Sequence, residues 1–414
     1  MASDARAARS PFAAESDGAR RAPALDGAFT PARSNGALRV ALLTTFHQRC
    51  GIATYAENLV EGVRAHGVEV VILAPHLGKG DVELGDQPKR MWRRNRAFGF
   101  EALAVVREIE RAQCDVVHLN VNLSLFSSRF LFNVVLLLRA KGIPVVATMH
   151  GRQGGSLGRR FKMWRLYAAL RGAHVVVHNQ GHAEELRARG HRDVHVIPHG
   201  MPDVQRKPIA EARASLGLDP TRKVLAHFGF LVPDKGVLEV LEAVAELRKK
   251  RIPSLFYWIS GAVYHTEESQ AHFAELRAAI ARLGLQEHVH LTGEFVSHDE
   301  ATTAMQAADW VVLNYRTGNA QGSSGAITRA FGSGRPIAVS AAPVFDDVRA
   351  GAHTLRGTVD LATALAEILE DDALAEATMR RGHDYCARTS WSKIGERHLA
   401  LYRSLARRKV ADAP

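Results

Sequence analysis

The stretch Asn319-Ala-Gln-Gly-Ser-Ser-Gly-Ala-Ile-Thr-Arg-Ala-Phe-Gly-Ser-Gly-Arg-Pro336 sets glycines and small polar residues directly before an amphipathic helical pattern. The first turn of such a helix leaves backbone N–H groups unpaired and carries the positive end of the dipole. A phosphate can therefore dock against Ser323, Ser324 and the Gly325 backbone. The same residues also read as an ordinary helix cap. A second glycine turn lies at Gly51, in the strand–loop–helix pattern from Val40 to Leu59. One glycine does not make the Gly-x-Gly-x-x-Gly fingerprint, which removes the main support for a dinucleotide oxidoreductase. Gly51 either lets backbone approach a diphosphate or serves as a plain turn glycine. Cys50 has no recognisable partner for nucleophilic chemistry and reads as a packing residue. No pair of carboxylates is singled out for glycoside hydrolysis. No Asp-x-Asp or histidine cluster offers a dedicated metal site, so no metal or other cofactor is expected.

The elements that must hold these turns follow from hydrophobic patterning. Apolar β-branched runs alternate with helical patterns at 38–43, 68–73, 116–119, 144–149, 175–178 and 194–198. After a polar stretch from Asp203 to Lys223 the alternation restarts, at 224–229, 255–260, 289–292, 310–314 and 336–340. This predicts an α/β chain of two Rossmann-like domains with parallel sheets, for which 414 residues and 46% hydrophobic composition are ample. The expected boundaries are a disordered leader over 1–37, a first domain over 38–204 joined by a C-terminal helix over 389–409, and a second domain over 205–388. That helix is expected to start at Ser390 or Ser392 and to carry Trp391, Ile394, Leu399 and Tyr402 as its apolar stripe. Three cysteines without regular spacing give neither a disulfide framework nor a zinc site and suit a reducing, cytoplasmic compartment. The most apolar run, Phe130 to Leu138, is shorter than a membrane span and reads as a buried helix.

An excess of 54 Lys+Arg over 43 Asp+Glu gives a net charge of +11, which favours acidic partners. Basic residues gather around tryptophans in Lys89–Arg96 and Arg159–Arg165. Both read as basic helices, either solvated or resting on an anionic membrane surface. Nucleic acid is not expected, because no recognised binding pattern is present.

Several short motifs occur in a telling order: the loop at Gly51 followed by His66-Gly-Val-Glu-Val, then Asp115-Val-Val-His118, Thr148-Met-His-Gly151 and Val196-Ile-Pro-His-Gly200. They continue through Phe228-Gly-Phe-Leu-Val-Pro-Asp-Lys-Gly236, Leu291-Thr-Gly-Glu-Phe295, Ala307-Ala-Asp309 and Gly332-Ser-Gly-Arg-Pro336. From about residue 38 to the terminal helix the chain resembles the family-4 retaining glycosyltransferases. The resemblance implies the GT-B architecture, with a nucleotide sugar held mainly by the second domain, an acceptor at the first, and the last helix crossing back. It places Gly51 where backbone meets the donor diphosphate and His150 where a neutral imidazole donates to the transferred sugar. Lys235 falls where a lysine neutralises the leaving diphosphate, and Glu294 and Phe295 fall in the loop bordering the base.

The departures from that pattern are as informative. The family's two glutamates, separated by seven residues, are replaced by Gln321 and Arg329, and the usual Gly-Arg reads Gly229-Phe230. Arg316 and Arg329 are then candidates to supply the missing positive charge. Gln321, Gly322, Ser323 and Ser324 complete the expected donor site. The expected activity is retaining transfer of a hexosyl unit from a nucleotide-diphosphate sugar to a glycan or lipid-linked saccharide, as in cell-surface polysaccharide or glycolipid synthesis. It would take place in the cytoplasm, with peripheral contact at the inner face of the membrane. A catalytically silent GT-B subunit that binds nucleotide sugar, and a nucleotide-sugar epimerase, are the alternatives.

Overall fold

The computed structural model describes residues 36–48, 51–78, 88–94, 99–122, 125–150, 164–204, 207–264, 266–316 and 325–411. The first half alternates β1 (Arg39–Leu43), α1 (Gly51–Arg64), β2 (Glu69–Pro75), β3 (Lys89–Trp92), α2 (Gly99–Arg111), β4 (Val116–Val121), α3 (Ser128–Ala140) and β5 (Val145–Met149). It continues with helix α4 over 164–169, then β6 (His174–Val177), α5 (Gln180–Ala188) and β7 (Val194–Val196). These strands form one parallel sheet in the order β3-β2-β1-β4-β5-β6-β7. Its central strands are buried along their whole length, as expected of a sheet covered on both faces by helices.

The second half runs α6 (Ile209–Ser215), β8 (Val224–Phe230), a single 3₁₀ turn at Pro233–Lys235, α7 (Val237–Lys250), β9 (Phe256–Ala262), α8 (Glu267–Arg282) and β10 (Val289–Leu291). It then adds α9 (His298–Gln306), β11 (Trp310–Leu313), α10 (Gly325–Gly332), β12 (Ile337–Val339), β13 (His353–Thr354), α11 (Leu361–Glu370), α12 (Asp372–Arg388) and α13 (Trp391–Ala411). Its sheet is also parallel, in the order β10-β9-β8-β11-β12-β13. The α/β reading therefore holds in both halves.

Helix α13 leaves the second half and packs on α1. Gly62 and Gly395 meet at the crossing, where a Cβ on either residue would overlap backbone of the other helix. Ile394, Leu399, Leu401 and Tyr402 bury their side chains with Tyr55, Leu59 and Val63 of α1. The first turn is capped by Ser390, whose hydroxyl accepts from the Lys393 N–H at 3.4 Å. A buried polar bridge fixes the dock from inside: His118 of β4 contacts the Tyr402 hydroxyl at 2.5 Å and the Thr148 hydroxyl at 2.7 Å.

The segment Lys89–Trp92 is an edge strand, which corrects the expectation of a basic helix there. Trp92 is fully buried, stacked on Phe126 and Phe130 at 5.3 and 5.5 Å, and its indole N–H donates to the Leu125 carbonyl at 3.1 Å. The tryptophan belongs to the core, because its apolar area and its one donor are both satisfied there. Lys89 is exposed on this sheet edge, where a charge discourages pairing with another chain, whereas Arg90 is half-buried and donates to the Pro75 carbonyl at 2.6 Å. The second cluster lies mostly outside the described residues, apart from exposed Trp164 and half-buried Arg165. Phe130–Leu138 forms the body of α3 as expected, although Phe132 and Leu136 face outward, 50% and 53% exposed.

Candidate active site

In open parallel sheets a ligand site forms where the strand order reverses, beyond the carboxyl ends of the strands. Here the reversals fall between β1 and β4 in the first sheet and between β8 and β11 in the second. The first is lined by a directional polar chain. The Thr44 hydroxyl donates to the Thr45 carbonyl at 3.0 Å, Asn120 Nδ2 donates to that hydroxyl at 3.1 Å, and Asn120 Oδ1 lies 3.2 Å from His150 Nε2. An amide oxygen only accepts, so Nε2 carries the imidazole proton and Nδ1 is left as an acceptor. The sequence resemblance casts His150 as a donor to sugar; in this tautomer Nε2 already donates to Asn120 and the free ring nitrogen can only accept. Its ring packs edge-on against Tyr55 at 4.5 Å. Burial, with His178, His199 and His118 nearby, holds its pKa well below the usual imidazole value, so it is neutral.

The loop after β1 that runs toward Gly51 is shaped by His47, which adopts φ 48°. That left-handed conformation is uncommon for a residue with a Cβ and is held by the His47 N–H donating to Glu57 of α1 at 2.8 Å. Gly51 itself opens α1, is exposed, and has open space where a Cβ would go. Cys50 lies outside the described residues.

At the second reversal, β8 ends at Gly229-Phe230, and the turn Pro233–Lys235 leads through Gly236 into α7. Gly236 has φ 65°, and a Cβ there would overlap the Asn314 carbonyl, so the turn is pressed against the end of β11. This close approach places the Lys235 ammonium 3.9 Å from the centre of the Tyr315 ring and 3.5 Å from Asp234. Burial lowers the Lys235 pKa, and Asp234 opposes that shift. Arg316 donates its N–H to the Asp234 carbonyl at 2.9 Å, while its guanidinium pairs with Glu239 of α7. Lys235 and Arg316 thus both contact Asp234, and the Arg316 guanidinium is already engaged by a carboxylate.

Arg329 lies on α10, half-buried, with its guanidinium 5.3 Å from the Phe228 ring centre. Burial lowers its pKa. Glu294 and Phe295 are both exposed beyond β10. Phe295, 72% exposed, meets Phe230 edge-on at 5.7 Å, and Phe230 meets Tyr264 at 5.2 Å. An aromatic group therefore stands where the family pattern has an arginine. Gln321, Gly322, Ser323 and Ser324 lie outside the described residues. Asn120 and Thr44 were not picked out from sequence; the available signal was a pair of polar residues, His118 and Asn120, inside a fully buried strand.

Among the described residues no three or more His, Cys, Asp or Glu side chains gather as a metal site, and no helix is long and apolar enough to cross a membrane.

Comparison with known proteins agrees with this architecture. The family described as Glycosyltransferase Family 4 matches residues 49–204, and that described as Glycosyl transferases group 1 matches residues 208–383. Among curated proteins none matches the sequence. Among solved structures, sucrose-phosphate synthase from Thermosynechococcus elongatus superposes with a TM-score of 0.69 at 19% identity, covering 89% of this chain and 99% of that one. HepE of Anabaena, solved in complex with UDP, gives 0.69 at 16% identity, covering 89% and 100%. A glycosyltransferase from Rickettsia africae gives 0.70 at 12% identity, covering 89% and 99%. With both halves matched in order and the two parallel sheets in place, the chain belongs to the family-4-like glycosyltransferases of GT-B fold.

Proposed function

We propose that the protein transfers a hexosyl unit, with retention, from a nucleotide-diphosphate sugar to a glycan or lipid-linked saccharide. The observation that carries this reading is the Lys235 turn: a cation held on the Tyr315 ring, in the turn that follows the carboxyl end of β8. Charge builds on the diphosphate as the glycosidic bond breaks, and a fixed cation stabilises that state more than the ground state. Structural neighbours hold UDP and UDP-glucose, which supports a donor of this class. In the front-face course we favour, an oxygen of the departing diphosphate takes the acceptor proton and the sugar is delivered on the same face, so no protein base is needed. His150 accepts from a sugar hydroxyl, the Gly51 loop admits the diphosphate, and Arg329 with the Gln321–Ser324 segment completes the donor site.

Incubation with UDP-, GDP-, ADP- and dTDP-sugars, with and without lipid-linked acceptor, tests the reading through nucleotide release and anomeric configuration. Acceptor-dependent release with retained configuration is expected. Binding of a nucleotide sugar without turnover would instead establish the silent subunit, which the loss of both glutamates favours. Isomerisation of the sugar without acceptor would establish an epimerase.

A membrane-facing acceptor is supported by the outer side of α2 and α3, where Phe100, Leu103, Phe132 and Leu136 are exposed alongside Arg107, Arg129 and Arg139. This face replaces the tryptophan-centred helix expected at Lys89–Arg96, and we place the protein at the cytoplasmic membrane surface. Phe132→Asp with Leu136→Asp should weaken sedimentation with anionic vesicles; equal sedimentation would remove the membrane from the proposal.

A further inference from the structure

Strands β5, β6 and β7 lie side by side, and each is followed beyond its carboxyl end by a histidine: His150, His178 and His199. Tyr55 of α1, 2% exposed, stands among them. Its ring centre lies 4.5 Å from that of His150, 5.5 Å from His178 and 5.1 Å from His199. It also lies 5.2 Å from that of Trp391, the first residue of α13. The bond to Asn120 fixes one atom of the His150 ring. A single hydrogen bond leaves a ring free to pivot about that atom; the tyrosine, set at an interplanar angle of 78°, fixes its plane.

The other walls around Tyr55 are anchored to backbone. His178 Nδ1 donates to the Ile197 carbonyl at 3.0 Å, and His199 Nδ1 donates to the Gly200 carbonyl at 2.7 Å. Trp391 lies against Gly200, where a Cβ would overlap its ring, and its carbonyl is pressed on Gly62 of α1 in the same way. Trp391 stands where the chain returns from the second half to the first, and that passage runs beside the outgoing one. Met201 bridges Ser390 in parallel, and its N–H donates to the Thr389 carbonyl at 2.8 Å. Two ring contacts, Trp391 to Tyr55 and Tyr55 to His150, thus join this junction to the candidate site.

We propose that Tyr55 is a positioning residue for His150 and that Trp391 braces Tyr55 from the junction, so that the imidazole takes its working orientation only when α13 is docked on α1. The role of His150 toward sugar rests on the nucleotide-sugar reading above; the way its ring is held does not. Misorienting a group that meets the reacting sugar costs turnover even when no contact to the ligand is deleted.

Two measurements on the full-length protein at pH 7.5 test this. The first follows the His150 Nε2–H resonance in protein carrying isotope-labelled histidine, assigned by its loss in His150→Gln. In Tyr55→Leu and in Trp391→Leu this proton should exchange with solvent at least about tenfold faster than in the parent, with the backbone amides of β5 unchanged. Tyr55→Phe, which keeps the ring, should match the parent. Trp391 is half-buried, so its variant carries the test should Tyr55→Leu not fold. The second is a double-mutant cycle on kcat/KM with whichever nucleotide sugar of the panel turns over. Tyr55→Leu should lower kcat/KM by at least about tenfold and Tyr55→Phe should recover it, whereas Tyr55→Leu added to His150→Gln should cost less than about twofold more. A purely structural role would give additive losses. Those, or parental exchange of the His150 proton in both leucine variants, or faster exchange shared by the β5 amides, would overturn the assignment and leave the nucleotide-sugar reading intact. Absence of turnover with every nucleotide sugar would remove that reading, and the exchange rates would then decide alone whether Tyr55 positions His150.

Discussion

Acid should unfold this protein well above the pH at which carboxylates protonate, because its core stores neutral histidines. Burial, the largest cause in each case, depresses the His178 pKa to about 3 and those of His398 and His227 to about 4. In the unfolded chain each would titrate at about 6.5. Above that value both states are neutral and the full stability is present. Below it the unfolded state binds a proton that the folded state refuses, so stability falls until the folded pKa is reached. At pH 5 the difference is about 2 kcal/mol per histidine, and about 6 kcal/mol for the three. Two of them, His178 and His398, belong to the first half and its docked helix α13. The totally buried His118, lowered by desolvation and by His398, pulls in the same direction. Losses of this size compare with the whole stability of an ordinary domain, about 5–15 kcal/mol. Urea unfolding at pH 7.5 and 5.0, followed by circular dichroism and tryptophan fluorescence, measures the effect. His398→Asn should recover about 2 kcal/mol of the pH-dependent part relative to its own stability at pH 7.5. Equal unfolding free energies at the two pH values would refute the argument, because they would mean that the imidazoles titrate normally in the fold.

Lys235→Ala should lower kcat by about two orders of magnitude while far-ultraviolet dichroism stays unchanged, as for loss of a charge that acts mainly in the transition state. A fall confined to KM would place Lys235 in ground-state binding. Arg329→Glu restores a carboxylate of the family pattern; if Arg329 replaces the cation missing at Phe230, nucleotide-diphosphate affinity drops by at least about tenfold. Unaltered affinity would remove Arg329 from the site. Gly395→Leu drives a side chain into the Gly62 backbone. It should cost about 1–3 kcal/mol or detach α13, as seen in thermal unfolding and limited proteolysis of the tail; an unchanged melting temperature would contradict the close crossing. Turnover should persist in chelator, and its complete loss would overturn the expectation of a metal-independent site.

Two alternating series of apolar β-branched runs, broken by the polar stretch before Lys223, were enough to read two parallel α/β halves from sequence. A strand buried on both faces has little freedom in composition, so its pattern is local. The motif order likewise pointed to Lys235 and His150, because a Pro-Asp-Lys-Gly turn and a strand-end Met-His-Gly are contiguous in the chain. Contacts between distant segments were not legible in this way. Whether Trp92 faced solvent or the Phe126–Phe130 stack depended on a helix some thirty residues later. The direction in which His150 bonds was set by Thr44 and Asn120, which only the sheet brings together. The burial of His227, whose Nδ1 reaches the Val312 carbonyl, became visible only once β11 was paired beside β8. Sequence fixes which residues alternate along a strand, whereas the partner of a polar atom is chosen by tertiary packing, where desolvation makes each unmet group costly.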